Sequence, residues 1–266
     1  MKFERISLAS EHTQFYLDAY IADPLHCLTR KAILVIPGGG YGTVCANREG
    51  EPVAMAFLAQ GYNAFVLHYT TDKKHIFPTQ LIEASLAVCH IRDHAEDYGI
   101  DPEQVFAVGF SAGGHLCASL GTQWKLEEVR NAIPGSYGYN RPKGVMLIYP
   151  VISGKIHSLS FRNLWASDQP TDEQLAMSSI ENFVDKDSAP AFILHTANDQ
   201  VVSVRNSLVA GDAYSRAGVP FEMHIFPDAP HGAALGNKIT AYGNPDWEKP
   251  DIARWVRMAE EWTNKI

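Results

Sequence analysis

Basic residues are in short supply in this sequence: 22 lysines and arginines stand against 30 aspartates and glutamates, a formal net charge of −8 at pH 7. The cations are scattered, and with no basic stripe to offset repulsion by phosphates, neither nucleic acid nor an anionic membrane is expected as a partner. The only cysteines are Cys27, Cys45, Cys89 and Cys117. They form no CxxC pair and no regular spacing, which excludes a disulfide framework. All four are expected to be reduced thiols, with Cys89 and Cys117 acting as small hydrophobes inside apolar helical patterns. No apolar run approaches the ~18 residues that span a bilayer. Met1–Ser10 also lacks the basic start and apolar run of a signal peptide, so a cytoplasmic location is expected. Internal repeats and low-complexity segments are absent too.

What is present is globular. With 46% hydrophobic and 20% charged residues, the composition excludes general disorder. A chain of this size buries roughly 75% of its unfolded surface, so its core needs no metal or disulfide. One α/β domain spanning 1–266 is expected.

The pattern starts with strand material and then alternates. Glu4–Leu8 and Phe15–Tyr20 read as an antiparallel pair. Ala32–Ile36 is a continuous aliphatic run, suited to a strand buried on both faces, and it stops at Pro37 and three glycines. Further core strands are expected at Ala64–Tyr69, Val105–Phe110, Val145–Tyr149, Phe192–Thr196 and Phe221–Phe226. Helices are expected at Glu51–Gln60, from Pro78 to Gly99, at His115–Leu120 and at Val204–Ala217. A last helix presents Ile252, Trp255, Val256, Ala259 and Trp262 on one face. Such alternation predicts right-handed crossovers, hence a mostly parallel twisted sheet with helices on both faces. Residues 151–190 break the rhythm with only short helical hints, such as Thr171–Met177 behind a threonine cap. Long irregular insertions are usually functional, so this one is read as a lid or binding loop, against the alternative of a surface excursion with its own small core.

Chemistry concentrates after the strands. Gly109-Phe110-Ser111-Ala112-Gly113 is a GxSxG pattern, which arises by accident in roughly one chain in ten of this size. Here it follows a buried strand and opens directly into a helix, the context in which a tight turn lifts the serine oxygen above the sheet. Upstream, Pro37-Gly38-Gly39-Gly40-Tyr41 follows the first core strand. Glycines there let backbone N–H groups point into a site, and the amides of Gly39, Gly40 and Ala112 are the expected oxyanion donors. A phosphate cradle is disfavoured, because the Gly-Lys-Ser/Thr ending of a P-loop and the GxGxxG pattern are both missing.

Asp199 stands just after the strand Phe192–Thr196, at the edge where open α/β sheets place their sites, whereas Asp185 and Asp187 precede that strand. His231 follows the last strand, between Pro230 and Gly232. The order Ser111, Asp199, His231 is that of a nucleophile, acid and base brought together by such a sheet. The other histidines form no ligand cluster. His90 and His94 read as an exposed pair four apart on a helix, and no HExxH pattern accompanies them. His115 reads as a packed or supporting residue. No cofactor or metal is expected.

The runs Pro37–Tyr41, Gly109–His115, His195–Val202 and Phe226–Gly232 together resemble the small α/β-hydrolase esterases. The nearest branch is that of acetyl-xylan and sugar-ester esterases, related to feruloyl esterases and hormone-sensitive-lipase-like enzymes. The resemblance runs from about Lys31 through nearly the whole chain and is specific for fold and triad, much less so for substrate. Where the lipase-like branch has His-Gly-Gly-Gly, this chain has Pro37, which the sugar-esterase branch tolerates. The implied activity is a serine carboxylesterase with Ser111, Asp199 and His231 as catalytic triad, acting on short-acyl, chiefly acetyl, esters of sugars or xylo-oligosaccharides. Tyr41 and Trp165 are expected to contact the substrate. Arg48 and Glu49 either meet a polar alcohol or simply begin the next helix, and the helix-start reading is favoured. Related members keep an amidase, formamidase or peptidase open. A non-catalytic binding protein on this fold is a more distant alternative. A homo-oligomer is left open.

Overall fold

Alternating burial along each strand sets the architecture. In the computed structural model, which describes residues 1–24 and 29–266, Ala32, Leu34 and Ile36 face one core while Ile33 and Val35 face another. His26 and Cys27 lie outside the described residues.

The strands are β1 (Lys2–Ala9), β2 (Gln14–Ile21), β3 (Arg30–Ile36), β4 (Asn63–His68), β5 (Ile100–Phe110), β6 (Val145–Ile148), β7 (Ala191–Thr196) and β8 (Phe221–Phe226). They form one sheet in the order β1-β2-β4-β3-β5-β6-β7-β8. The pairings β1–β2 and β2–β4 are antiparallel, and every other pairing is parallel. The expected mostly parallel sheet is therefore present, with the N-terminal pair attached along one side.

Between the strands lie α1 (Ala46–Glu49), α2 (Glu51–Ala59), α3 (Thr79–Asp93), α4 (Ala95–Tyr98), α5 (Ala112–Thr122) and α6 (Glu127–Ala132). Then come α7 (Leu159–Leu164), α8 (Asp172–Ser178), α9 (Arg205–Ala217), α10 (Lys238–Ala241), α11 (Pro250–Ala253) and α12 (Trp255–Thr263). Helices α3, α5 and α9 cover one face through Leu81, Val88, Leu116, Ala210 and Tyr214. Helices α2 and α12 cover the other through Val53, Phe57, Trp255 and Trp262. Each fully buried large side chain of this kind contributes roughly 1.5–3 kcal/mol. Among the described residues, no helix is long and apolar enough to cross a membrane.

Three expectations change in detail. The helix read as running to Gly99 breaks at His94, and α4 then ends on Gly99 in the left-handed conformation. Strand β5 begins earlier than Val105, because Ile100 already pairs with Arg30 ahead of a register shift. Residues 151–190 form no core of their own. Val151, Ile152, Phe161, Leu164, Ile180 and Ala189 pack into the main core on the α3 face. The threonine cap there is real: Thr171 and Gln174 close a reciprocal capping box at the start of α8.

Backbone segments approach very closely where β5 turns into α5. A Cβ on Gly113 would lie 2.2 Å from the Ile36 carbonyl oxygen, and one on Gly109 would lie 2.2 Å from that of Gly113. Backbone sits against backbone, leaving no flexible side chain to yield. Gly113→Ala is expected to cost about 3 kcal/mol or more of stability, read as a lower urea midpoint at unchanged slope.

Candidate active site

Ser111 occupies this turn with φ 53° and ψ −119°, a backbone conformation that side chains other than glycine rarely adopt. It is fixed there by three backbone hydrogen bonds. Its N–H donates to Ile148 O at 3.1 Å, and its carbonyl accepts from His115 N and Val151 N, each at 3.1 Å. Asp199 lies three residues beyond β7, with its Oδ1 accepting the N–H groups of Val201 at 2.8 Å and Val202 at 2.9 Å. His231 lies five residues beyond β8. Its loop is held to the Asp199 loop by Thr196 Oγ1 donating to Ala229 O at 3.0 Å and Ala229 N donating to Asn198 Oδ1 at 3.2 Å.

The three side chains meet. His231 Nδ1 is 2.6 Å from Asp199 Oδ2, and His231 Nε2 is 2.8 Å from Ser111 Oγ. Because the ionised carboxylate can only accept, Nδ1 carries the proton and Nε2 is left to accept from the serine hydroxyl. Burial pushes the Asp199 carboxyl up. Hydrogen bonds from His195 and His231, the charge of His231 and the Val202 N–H outweigh burial and hold it well below the usual carboxylate range.

These groups open into a cleft of about 190 Å3 lined by Gly39, Gly40, Arg48, Ser111, His157 and His231, among others. Gly39 has φ +128°, and a Cβ there would lie 2.1 Å from Thr43 O, so this turn requires glycine. The amides of Gly39, Gly40 and Ala112 find no acceptor among the described residues. That of Ala112 belongs to the first turn of α5, where helix N–H groups have no intrahelical partner. A larger cavity of about 390 Å3, lined by Arg92, Tyr139 and Arg141 among others, includes neither Ser111 nor His231.

Tyr41 and Trp165 do not line the cleft, which corrects the expectation that they meet the substrate. Tyr41 is buried and its hydroxyl is 2.7 Å from His115 Nδ1. Trp165 packs against Phe77 and donates through Nε1 to Ser178 Oγ at 3.2 Å. Both aromatic rings stabilise packing behind the cleft. His115 is the supporting residue it was read as: fully buried, with Nε2 2.6 Å from Ser178 O. Burial pulls it down to about 4. It is therefore neutral, donating from Nε2 and accepting the Tyr41 hydroxyl at Nδ1. His90 and His94 are half-buried rather than exposed, their rings tilted at 31° with centroids 4.1 Å apart, and His90 bonds to the Tyr98 hydroxyl.

Other residues at the site carried no usable sequence signal. His157, Leu159 and Ser160 form one wall, and they sit in the segment that has no period to read. His195 is fully buried, 3.4 Å from Asp199 Oδ2 and 2.9 Å from Val202 O. Its place at the end of β7 was visible, but its pairing was not. Arg48 and Glu49 end the short helix α1, and the next helix begins only at Glu51, so the favoured helix-start reading is off by one element; both residues also line the cleft.

The depressed Asp199 value has a stability consequence. The carboxylate contributes stability that is fully present above its unfolded-state value of about 3.9 and is lost as pH falls towards the lower folded value. Asp199→Asn should therefore lose stability less steeply than the wild type below about pH 5, as thermal melts at a series of pH values would show.

Residues 17–212 match the BD-FAE family model. The chain is 41% identical over 214 residues to endo-1,4-beta-xylanase B of Butyrivibrio fibrisolvens, covering 78% of this chain and 33% of that protein. It is 29% identical to the acetylxylan esterase of Xylanibacter ruminicola, over 85% of this chain and 45% of that one. This chain thus spans less than half the length of either curated relative. Among solved structures, an acetyl ester-xyloside bifunctional hydrolase from Caldicellulosiruptor lactoaceticus superposes with a TM-score of 0.80 at 28% identity, over 98% of this chain and 96% of that one. With the family model spanning most of its length, this chain belongs to the BD-FAE family and has the α/β-hydrolase fold.

Proposed function

We propose that this protein is a serine carboxylesterase that hydrolyses short-acyl, chiefly acetyl, esters of sugars or xylo-oligosaccharides through an acyl-enzyme. The observation that carries this reading is the continuous hydrogen-bonded line from Asp199 through His231 to Ser111 Oγ, facing a cleft that also receives unpaired backbone amides.

The chemistry follows from those atoms. His231 Nε2 takes the Ser111 proton as Oγ attacks the ester carbonyl carbon, and the carbonyl oxygen becomes an anion facing the amides of Gly39, Gly40 and Ala112. The C–O bond to the alcohol then breaks, with His231 returning the proton to the leaving oxygen. Water, deprotonated by the same imidazole, attacks the acyl-enzyme, and the acid departs as Ser111 recovers its proton. Asp199 keeps Nδ1 protonated and stabilises the imidazolium formed in each half-reaction.

Support for the acetyl and sugar parts is of a different kind. A cleft of about 190 Å3 suits a small acyl group better than a long chain. The names of the acetylxylan esterase and the acetyl ester-xyloside hydrolase point to acetylated xylan. Arg48 adds a polar group to the cleft lining, with its guanidinium held 4.7 Å from the Trp247 ring centroid. Such a fixed cation in the cleft can donate to sugar hydroxyls.

Hydrolysis of nitrophenyl esters from acetyl to octanoyl is expected to favour acetyl strongly, and Ser111→Ala to lower kcat on the order of 10⁴-fold or more. A Ser111→Ala protein retaining over about a tenth of the activity would overturn the mechanism. Turnover of amides or formamides in place of esters would move the same triad to an amidase. Arg48→Met, which removes the guanidinium and keeps an apolar stem of similar length, should lower kcat/KM for acetylated xylobiose roughly tenfold more than for nitrophenyl acetate, about the value of one hydrogen bond from a charged donor.

A further inference from the structure

The cleft contains a second carboxylate that the proposed chemistry leaves unused. Glu49 ends α1, the short helix behind the glycine loop, and is 2% exposed. A carboxylate this deep is costly unless it is partnered, and its partners are informative. Oε2 accepts the N–H of Gly38 at 2.8 Å, on the loop that leads to Gly39 and Gly40. Oε1 accepts the hydroxyl of Tyr149 at 2.9 Å. The Tyr149 oxygen in turn accepts Ala234 N–H at 3.0 Å, in the loop that carries His231. The Tyr149 and His231 rings also meet edge to face, with centroids 5.0 Å apart. One carboxylate thus reaches both the donor loop and the histidine loop.

Local geometry shows how firmly these positions are set. Tyr149 has φ +38° at the end of β6, a conformation that persists only where surrounding contacts over-determine it. A Cβ on Gly38 would lie 2.8 Å from Glu49 Oε2 and 3.0 Å from Ser111 Cβ, so the loop is pressed between the carboxylate and the serine.

Ala234 N–H and Gly38 N–H can only donate, and with the Tyr149 proton turned to Glu49 both Glu49 oxygens accept, the arrangement that suits an ionised carboxylate. Burial holds the carboxyl above its ordinary value, and Arg48, Gly38, Tyr149 and His231 oppose that push without cancelling it. The charged and titratable groups around it are Arg48 and Cys45 from its own turn, Tyr69 after β4, Tyr149 after β6 and His231. Asp199 and His157 act on His231 from its other sides.

We propose that Glu49 is a positioning residue that locks the glycine loop and, through Tyr149, the His231 loop into one geometry, and that it sets a second negative charge beside the imidazolium. The inference rests on the reading of Ser111 and His231 given above.

The test measures kcat, KM and the pH profile of nitrophenyl acetate hydrolysis for Glu49→Gln, Glu49→Asp, Tyr149→Phe and Ser111→Ala, with thermal melts to establish folding. Glu49→Gln should lose roughly 10- to 100-fold in kcat, the scale of a misplaced catalytic group, with KM within about twofold. The acid limb of kcat/KM should move to lower pH, because the imidazolium has lost a neighbouring anion. Glu49→Asp should return that limb towards the wild-type position without restoring kcat in full. Tyr149→Phe keeps the charge, so kcat should fall while the limb stays. A folded Glu49→Gln protein with wild-type kcat and limb overturns the proposal. If Glu49→Gln does not fold, wild-type kcat in Tyr149→Phe overturns it equally. An inactive Ser111→Ala beside an unchanged Glu49→Gln confines the failure to this inference, whereas an active Ser111→Ala removes the functional reading with it.

Discussion

Strand β5, helix α5 and the end of β3 approach so closely at Ser111 that glycine is required at both flanking positions. Carbonyl oxygens of Ile36, Pro37 and Gly113 occupy the space where a Cβ at Gly113 or Gly109 would stand. That contact dictates the backbone angles of Ser111 and hence the side on which its oxygen emerges. It also dictates which other residues can reach the oxygen. The parallel order places the C-terminal ends of β3, β5, β7 and β8 along one edge of the sheet. The glycine loop, Ser111, Asp199 and His231 each follow one of those ends. A different strand order would leave the same residues in the chain and separate them in space.

Around that edge, polar groups are handled by two opposite means. His115 is held neutral by burial and spends both ring nitrogens on structure, linking Tyr41 after the glycine loop to Ser178 at the end of α8. Asp199 and Glu49 are instead kept as acceptors by several donors each, backbone amides among them. A buried carboxylate satisfied by amides needs no mobile counter-ion, so the Asp199 charge stays directed at the imidazole it touches. In the proposed mechanism the site is therefore prepared for the imidazolium before substrate arrives, which is where electrostatic catalysis gains over solvent.

How much of this was legible in the sequence depends on whether the signal is local. The central strands were readable because runs such as Ala32–Ile36 are apolar at every position, as double-sided burial demands. Ser111 was readable because its turn chemistry lies within five consecutive residues, and Asp199 and His231 because each follows a readable strand. Glu49 was read only as a helix start or an alcohol contact and His195 was not assigned, since their partners lie across loops that no periodicity connects. Tyr41 and Trp165 were misjudged for a related reason. Aromatic residues beside a site either face it or pack behind it, and only tertiary contact with His115 and Ser178 decides. The same holds for His90 and His94, whose rings pack against each other and against Tyr98.

The insertion between β6 and β7 narrows what can vary near the cleft. It supplies His157, Leu159 and Ser160 to the wall, and the same segment buries Val151, Ile152, Phe161, Leu164, Ile180 and Ala189 in the main core. Phe161 and Leu164 alone represent about 3–6 kcal/mol of burial at the usual rate per large apolar side chain. A lid that swung open as a whole would forfeit that and more, a large share of the total stability of an ordinary domain. The energetics restrict any easy opening to the tip around Leu159, which is 61% exposed and keeps little core contact to lose. Under the proposed esterase reading, displacing this short tip would widen the cleft for a bulkier substrate, while the glycine loop and Ser111, fixed by backbone contacts, keep their positions.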